Sequence, residues 1–263
     1  MDRARGPAAA IRHAGSLALI AGLLGMAGLS LAGCTSSSSS PGAGPPGSAT
    51  ASASPGLSIP GTHQATSRYQ ITAPVSTVVI VSRVGNITVT GGSGPDVSIT
   101  QHVYYTRTAP ATTRTVSGNT LTVTYHCHVQ VVCGVAYTLA VPRSVAVRAT
   151  AGAGAVRLTG LAGSVTAKAD AGNITATGLA SASVSLTSRV GGVSARFTAP
   201  PSMVQASTNV GAITVCVPGT ASYKVTADAH VGKATISVPQ SASSGHAITA
   251  TTDVGAIVVA PST

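Results

Sequence analysis

The residue types best suited to chemistry meet in the run His126-Cys127-His128, followed by Cys133. Imidazole and thiolate groups are common zinc ligands. On a β-strand, however, the two histidines share one face and Cys127 points to the other, so the three cannot easily hold one ion. The spacing instead favours a disulfide between Cys127 and Cys133 that closes a short hairpin, which an oxidising exterior permits. Free buried thiols are the remaining alternative, and we expect no metal and no cofactor.

Carboxylates are too few to suggest hydrolysis. From Cys34 onward the acidic residues are Asp96, Asp170, Asp228 and Asp253. A glycosidase of the common type needs two carboxylates that face each other, and no serine lies in a nucleophile-elbow motif. The sequence therefore predicts no catalytic residues and no enzyme activity.

The N-terminus has the organisation of an export signal. A basic start, with Arg3, Arg5 and Arg12, precedes an apolar run from 17 to 31. The run ends in Leu31-Ala32-Gly33-Cys34, which resembles the bacterial lipobox. That resemblance implies a signal peptide over 1–33, acylation of the Cys34 thiol, and a chain held at the extracytoplasmic face of the membrane by its lipid.

Two alternatives to this lipoprotein interpretation are an ordinary cleaved signal and a membrane-spanning helix. The apolar run is short for a span of about 20 residues. If Cys34 is lipidated and Cys127 pairs with Cys133, Cys216 has no partner. The alternation of its strand points it outward, which predicts a free thiol or an intermolecular bridge.

Residues 34–66 are rich in Ser, Gly, Pro and Ala and should form a disordered stalk, since they cannot bury enough apolar surface to order. Residues 67–263 remain for one domain. The whole chain has 15 basic and five acidic residues. Removal of the signal peptide takes away Asp2, Arg3, Arg5 and Arg12, so the chain from Cys34 onward has 12 basic and four acidic residues and a formal charge of +8. Such a charge favours anionic lipids or wall polymers. Nucleic acid is not expected, because the charges are scattered singly without interleaved aromatic residues.

An internal repeat is the strongest pattern in the chain. Segments such as SRVGNITV, STNVGAITV and TTDVGAIVV align on one glycine. From Gly154 onward these glycines are spaced by 18, 19, 20, 21 and 23 residues. The full set of repeat glycines is Gly85, Gly154, Gly172, Gly191, Gly211, Gly232 and Gly255.

Around each glycine the apolar residues alternate as they do in half-buried strands. The preceding residue is Val or Ala, and the residues two and four positions later are aliphatic, as in Val210, Ile213 and Val215. We therefore predict an inward-facing residue before each glycine and a bend at the glycine itself. Asp170 is predicted to lie beside Arg189, and His230 beside Asp253, as exposed pairs between neighbouring repeats.

Units of about 20 residues cannot bury their own apolar face and must stack. The sequence thus predicts an all-β, single-domain β-solenoid of glycine-cornered repeats, with an antiparallel sandwich of hairpins as the alternative. Residues 91–141 do not follow the repeat and are predicted to contain longer strands, around 97–106, 120–128 and 135–141. They are predicted to be a hairpin insertion or an irregular cap near the N-terminal end.

The glycine-cornered repeats, the segment Tyr137–Pro142 that leads into them, and the Thr-Gly-Leu turns at 159–161 and 177–179 resemble the bacterial putative-adhesin family of β-solenoid domains. The resemblance covers about residues 70–260. It implies a surface β-solenoid and carries no catalytic residues to this chain.

These observations predict a lipid-anchored, non-enzymatic surface-binding or adhesion domain that presents a Ser/Thr-rich, mildly basic face to an anionic wall polymer or another surface. A structural or sensory lipoprotein that binds an envelope protein near Tyr104 and Tyr105 is the alternative. A polysaccharide-active enzyme is disfavoured by the missing carboxylates.

Overall fold

The computed structural model describes Cys34 and residues 61–262, and this part of the chain consists of β-strands and turns without helix. The predicted signal peptide and most of the predicted stalk lie outside the described residues. The strands are β1 (His63–Ile71), β2 (Thr77–Val84), β3 (Ile87–Gly92), β4 (Val97–Tyr105), β5 (Ala111–Ser117), β6 (Thr120–His126), β7 (Cys133–Pro142), β8 (Ala146–Ala153), β9 (Val156–Thr159), β10 (Val165–Ala171), β11 (Ile174–Leu179), β12 (Ser183–Val190), β13 (Val193–Phe197), β14 (Met203–Val210), β15 (Ile213–Pro218), β16 (Lys224–Val231), β17 (Ala234–Ile236), β18 (Ala247–Val254) and β19 (Ile257–Ser262). β1 begins four residues inside the range predicted for the stalk.

Two large mixed sheets contain these strands. Within residues 61–262, the first sheet has ten strands in the order β1-β4-β7-β3-β9-β11-β13-β15-β19-β17. The second has nine, in the order β16-β18-β14-β12-β10-β8-β2-β6-β5. From β8 onward the chain alternates between the sheets, and neighbouring strands pair in parallel. We call each second-sheet strand with the first-sheet strand that follows it a layer.

The layers are not stacked in chain order throughout. The layer β18–β19 lies between β14–β15 and β16–β17, so the chain turns back on itself near its C-terminus. Likewise β6–β7 lies outside β2–β3. The repeat predicts six consecutive units from about 145 to 259 stacked in chain order, and this prediction is wrong for the last two layers. β16 and β17 form the C-terminal end of the stack.

Antiparallel strands close the opposite end. β4 pairs antiparallel with both β1 and β7, and β5 pairs antiparallel with β6. The guanidinium carbon of Arg114 lies 3.7 Å from the ring centroid of Tyr69 on this side. Burial raises the pKa of the nearby Tyr137 hydroxyl, which donates a hydrogen bond to the carbonyl oxygen of Thr124 at 3.2 Å. This is the irregular, hairpin-containing region expected from the sequence.

The inward-facing aliphatic residues of both sheets form one core. Ile80, Leu186 and Ile213, on three different strands, are completely buried. Alanine occupies many of the same positions, as at Ala167 and Ala195. Burial of Val, Ile, Leu and Ala therefore provides most of the hydrophobic stabilisation, with single aromatic rings at Tyr137, Phe197 and Tyr223.

The residue before each repeat glycine faces outward, contrary to our expectation. Val190, Val210 and Val254 are 52%, 50% and 48% exposed. The pairing of β12 with β14 passes from Ser188–Thr208 directly to Val190–Val210, so the regular alternation breaks at Arg189. The inward position is instead three residues before the glycine, where small or hydroxyl-bearing residues are found.

Buried hydroxyls at this inward position bind the corner of the neighbouring layer. Ser188 Oγ donates to the carbonyl oxygen of Gly172 at 2.9 Å, and Thr208 Oγ1 donates to that of Gly191 at 2.9 Å. Thr252 Oγ1 donates to the carbonyl oxygen of Gly211 at 3.1 Å. These bonds satisfy backbone acceptors at the bends between the sheets.

We expect Thr208→Val to lower the free energy of unfolding by about 1–3 kcal/mol, because it keeps the side-chain shape but leaves the Gly191 carbonyl without its donor. Chemical denaturation measures this change. Thr251→Val is the matched control, since Thr251 is exposed on the neighbouring β18. Equal effects of the two substitutions would show that the buried hydrogen bond contributes nothing specific.

Candidate binding faces and cysteine sites

The outer face of the second sheet carries rows of polar side chains in register, most of them Ser or Thr. One row consists of Thr150, Lys168, Thr187, Ser207 and Thr251. The adjacent row consists of Arg148, Thr166, Ser185, Gln205 and Thr249. We call these two rows, from β8 to β18, the hydroxyl face. Within it Ser207 Oγ donates to Thr187 Oγ1 at 3.1 Å, so hydroxyls of neighbouring strands lie within hydrogen-bond reach of one another.

Basic residues border these hydroxyls. Arg148 and Lys168 project from the hydroxyl face itself. At the bend beside it, Arg189 Nη2 lies 3.6 Å from Asp170 Oδ1, which confirms the predicted pairing of these residues. Both side chains are about 70% exposed, so the ion pair contributes little to stability. His230 and Asp253 lie on the neighbouring strands β16 and β18, as expected from the repeat.

The repeat glycines lie at the bends between the two sheets, with φ values between 133° and 153°. L side chains rarely adopt this backbone region. At Gly211, an added Cβ would collide with the backbone carbonyl oxygen of Gly191 in the neighbouring layer. The glycine row therefore lets successive layers approach closely and brings the flat outer faces into register.

Cys216 is bonded to Cys34, so its expected unpaired state was wrong. It lies on β15, 3% exposed, at the outer face of the first sheet. The two Cα atoms of the disulfide are 6.1 Å apart across a sequence separation of 182 residues. Lipid attachment at Cys34 would use the same sulfur atom, so the disulfide and the thioether are alternative states of this residue. Lipidation stays a prediction.

The structure contains a disulfide between Cys127 and Cys133, with Cα atoms 6.1 Å apart. It closes the turn between β6 and β7, next to His126 and His128, whose ring centroids are 6.0 Å apart. Across residues 61–262 and Cys34 there is no cluster of three groups able to hold a metal ion. The same described residues include no helix long and apolar enough to cross a membrane.

Two shallow, open cavities lie on the surface of the stack. One, of about 160 Å³, lies on the first sheet beside the bends, between Asn173, Gly192 and Ala212. The other, of about 250 Å³, lies at the C-terminal end of the stack beside Tyr223 and Val225. None of the four aspartates lines either cavity. Neither cavity therefore brings paired carboxylates together.

Several solved bacterial structures show similarity to this chain. A putative cell adhesion protein from Clostridium sporogenes is 14% identical, with a TM-score of 0.43, over 76% of this chain and 100% of that chain. The chain is similar to putative adhesins. One from Bacteroides fragilis is 17% identical, with a TM-score of 0.44, over 76% of this chain and 97% of that chain. One from Parabacteroides distasonis is 13% identical, with a TM-score of 0.32, over 75% and 97% of the respective chains. No protein-family model matches the sequence, and no curated protein does so.

Proposed function

We propose that this chain is a lipid-anchored, non-enzymatic β-solenoid that binds an anionic wall polymer through the hydroxyl face. The observation that carries the proposal is the register of that face. Hydroxyl-bearing residues recur on successive strands, as at Thr187, Ser207 and Thr251. Parallel strands lie about 4.8 Å apart. The face thus offers the same donors and acceptors repeatedly along one line, which suits a ligand with a short chemical repeat.

Charge supports an anionic ligand. The chain from Cys34 onward has a formal charge of +8. Arg148 and Lys168 project among the hydroxyls, so the attraction acts where the direct contacts would form. Long-range attraction brings an anionic polymer to the surface, whereas hydrogen bonds to the hydroxyl rows hold it there once salt screens the charges.

The anchor follows from the N-terminal sequence. Acylated Cys34 would hold the domain at the extracytoplasmic face of the membrane, and the predicted stalk, which ends before β1 at His63, would give it reach into the wall. Cys34 meets the first sheet at Cys216, on the side of the molecule opposite the hydroxyl face. In the disulfide state, Cys34 therefore leaves the proposed binding surface uncovered.

A partner-binding envelope lipoprotein is the second candidate, and one observation favours it. The loop between β6 and β7 exposes Val129 and Val131 almost completely. It follows β6 and leads into β7, whose neighbour β4 contains Tyr104 and Tyr105. Exposed apolar side chains of this kind suit a protein partner better than a polysaccharide.

Binding of the chain from Cys34 onward to isolated peptidoglycan and to anionic wall polymers, at low and near-physiological salt, tests the proposal. We expect saturable binding that survives near-physiological salt. The double substitution Thr187→Asp with Ser207→Asp should weaken it by about tenfold or more, because two negative charges then face the polymer.

Thr175→Asp with Ser194→Asp is the matched control. These residues form the same Thr–Ser pair on neighbouring strands of the first sheet, and the change in net charge is identical. We expect binding close to that of the unmodified chain. Equal losses from both variants would reduce the interaction to overall charge and contradict a binding face. Recovery of one envelope protein without polymer binding would favour the second candidate.

A further inference from the structure

The two ends of the stack are built differently. At the end near β1, the antiparallel strands β1, β4 and β5 terminate the parallel pairing. At the other end both sheets stop at parallel strands, β16 and β17, each with a neighbour on one side only. Repetitive β-structures need a terminal unit that covers the interior and the last edge. Among the described residues, no strand performs that role for β16.

The interior of the last layer is correspondingly uncovered. Val225, Ala227 and Ala229 face inward on β16 but are only half-buried. Their counterparts one layer in, Ile248, Ala250 and Thr252, are at most 1% exposed. On β17, Ala234 is exposed, although its counterpart Ile257 is fully buried.

The loop after β17 covers only the beginning of this edge. Tyr223 N donates to the carbonyl oxygen of Pro239 at 2.9 Å, and Ser241 N donates to that of Tyr223 at 3.0 Å. Gln240 thereby forms an isolated bridge with Tyr223. From Val225 to Val231 the outer edge of β16 has no strand partner within residues 61–262. An open cavity of about 250 Å³ adjoins the point where this cover stops.

We propose that this free edge docks against the same edge of a second copy, so that β16 of the two chains pairs antiparallel about a two-fold axis through Ala229. With the two-fold axis perpendicular to the second sheet, the second sheets of the two copies form one continuous sheet, and their inward faces lie on the same side of it. It places the inward-facing Ala229 opposite Ala229 of the second copy, with the outward-facing Asp228 and His230 on either side of it. The loop at Tyr223 falls beyond the partner's Gly232, so the existing cover is not displaced.

Charge complementarity selects this register. Pairing about Ala229 sets Asp228 beside His230 of the second copy, and the symmetry repeats the contact. A shift that centres the pairing on Asp228 would place two carboxylates directly opposite each other. Centring the pairing on Thr226 would place Ala229 of one copy beside Tyr223 of the other, where Gln240 already lies. Of these three registers, only the one centred on Ala229 leaves the loop in place and keeps the carboxylates apart.

An Ala229→Cys substitution in the full, exported chain tests the geometry. Directly opposed residues of antiparallel strands have Cα atoms about 4.5–5.5 Å apart, within the range that a disulfide spans. We expect a disulfide-linked dimer on non-reducing gels. Thr251→Cys, exposed on β18 one layer inward, is the control and should remain monomeric. Absence of the Ala229→Cys dimer, or equal cross-linking of both variants, would overturn the proposal.

A charge exchange tests the register. Both variants are made in the Ala229→Cys background. Asp228→Lys places a lysine against His230 of the second copy, and His230→Asp places two carboxylates beside each other. Each variant alone should therefore lose most of its disulfide cross-link. Co-expression of the two should restore it, because the mixed dimer contains one lysine–carboxylate contact and one contact between Asp228 and His230. Failure of the mixture to cross-link, with both chains folded by circular dichroism, would contradict the pairing about Ala229.

Discussion

Gly211→Ala is expected to lower the free energy of unfolding by roughly 2–5 kcal/mol. Two causes act together. The backbone of Gly211 has φ of 153°, which an alanine adopts only with strain. The new Cβ would also collide with the carbonyl oxygen of Gly191, a backbone atom that cannot move without displacing the neighbouring layer.

Urea denaturation of the chain from Cys34 onward measures this effect. Gly245→Ala is the control, because Gly245 lies in the loop before β18 and an added Cβ there meets no atom within 4 Å. That variant should match the unmodified chain closely. If Gly211→Ala proved as stable as Gly245→Ala, the close approach of successive layers at the glycine row would be wrong.

Leu186→Ala is expected to lower the free energy of unfolding by about 2–5 kcal/mol. Leu186 is fully buried on β12, between Ala167 and Ala206 of the neighbouring strands. Those neighbours are small and are held by backbone pairing on either side of β12, so they cannot fill the cavity. The loss of apolar contacts and the remaining cavity therefore both destabilise the folded state.

Thr187→Ala is the control on the same strand. Thr187 follows Leu186 and points to the opposite, exposed face. We expect a change within about 0.5 kcal/mol, as is usual for surface substitutions. Thermal and chemical unfolding of the two variants should thus differ clearly. Comparable losses would mean that β12 is not buried on one face and exposed on the other.

The repeat predicted much of this architecture from sequence. Alternation after each glycine correctly identified inward residues such as Ile174, Val193 and Ile213, which are buried. Before each glycine the same reasoning failed at Val190, because the pairing skips Arg189 and the strand turns over. An alternating pattern does not reveal a local irregularity when valine suits either face of a strand.

The order of the last two layers could not be predicted, because each layer presents the same pattern of small and aliphatic residues to its neighbours. Ile248 pairs with both Val204 and Val225, and nothing in the type of these residues marks one as the chain neighbour. Likewise, the pairing of Cys34 with Cys216 joins residues 182 positions apart. No local pattern around Cys216 indicated its partner.

Only the general character of the hydroxyl face could be predicted from the sequence. The abundance of Ser and Thr suggested a polar surface, but the registers of β12 with β14 and of β14 with β18 were needed to align Thr187, Ser207 and Thr251. The alternation that runs back through Leu186 does assign the Ser188 hydroxyl to the inward face, where it is buried three residues before a glycine.

The central claim is that polymer binds the hydroxyl face, and a fluorescent label placed on each sheet tests it most directly. An environment-sensitive fluorophore attached at Ser207→Cys should show a saturable spectral change when anionic wall polymer is added at near-physiological salt. The same fluorophore at Ser194→Cys, on the outer face of the first sheet, should show none. A change at Ser194→Cys without one at Ser207→Cys would contradict the account and move the binding surface to the first sheet.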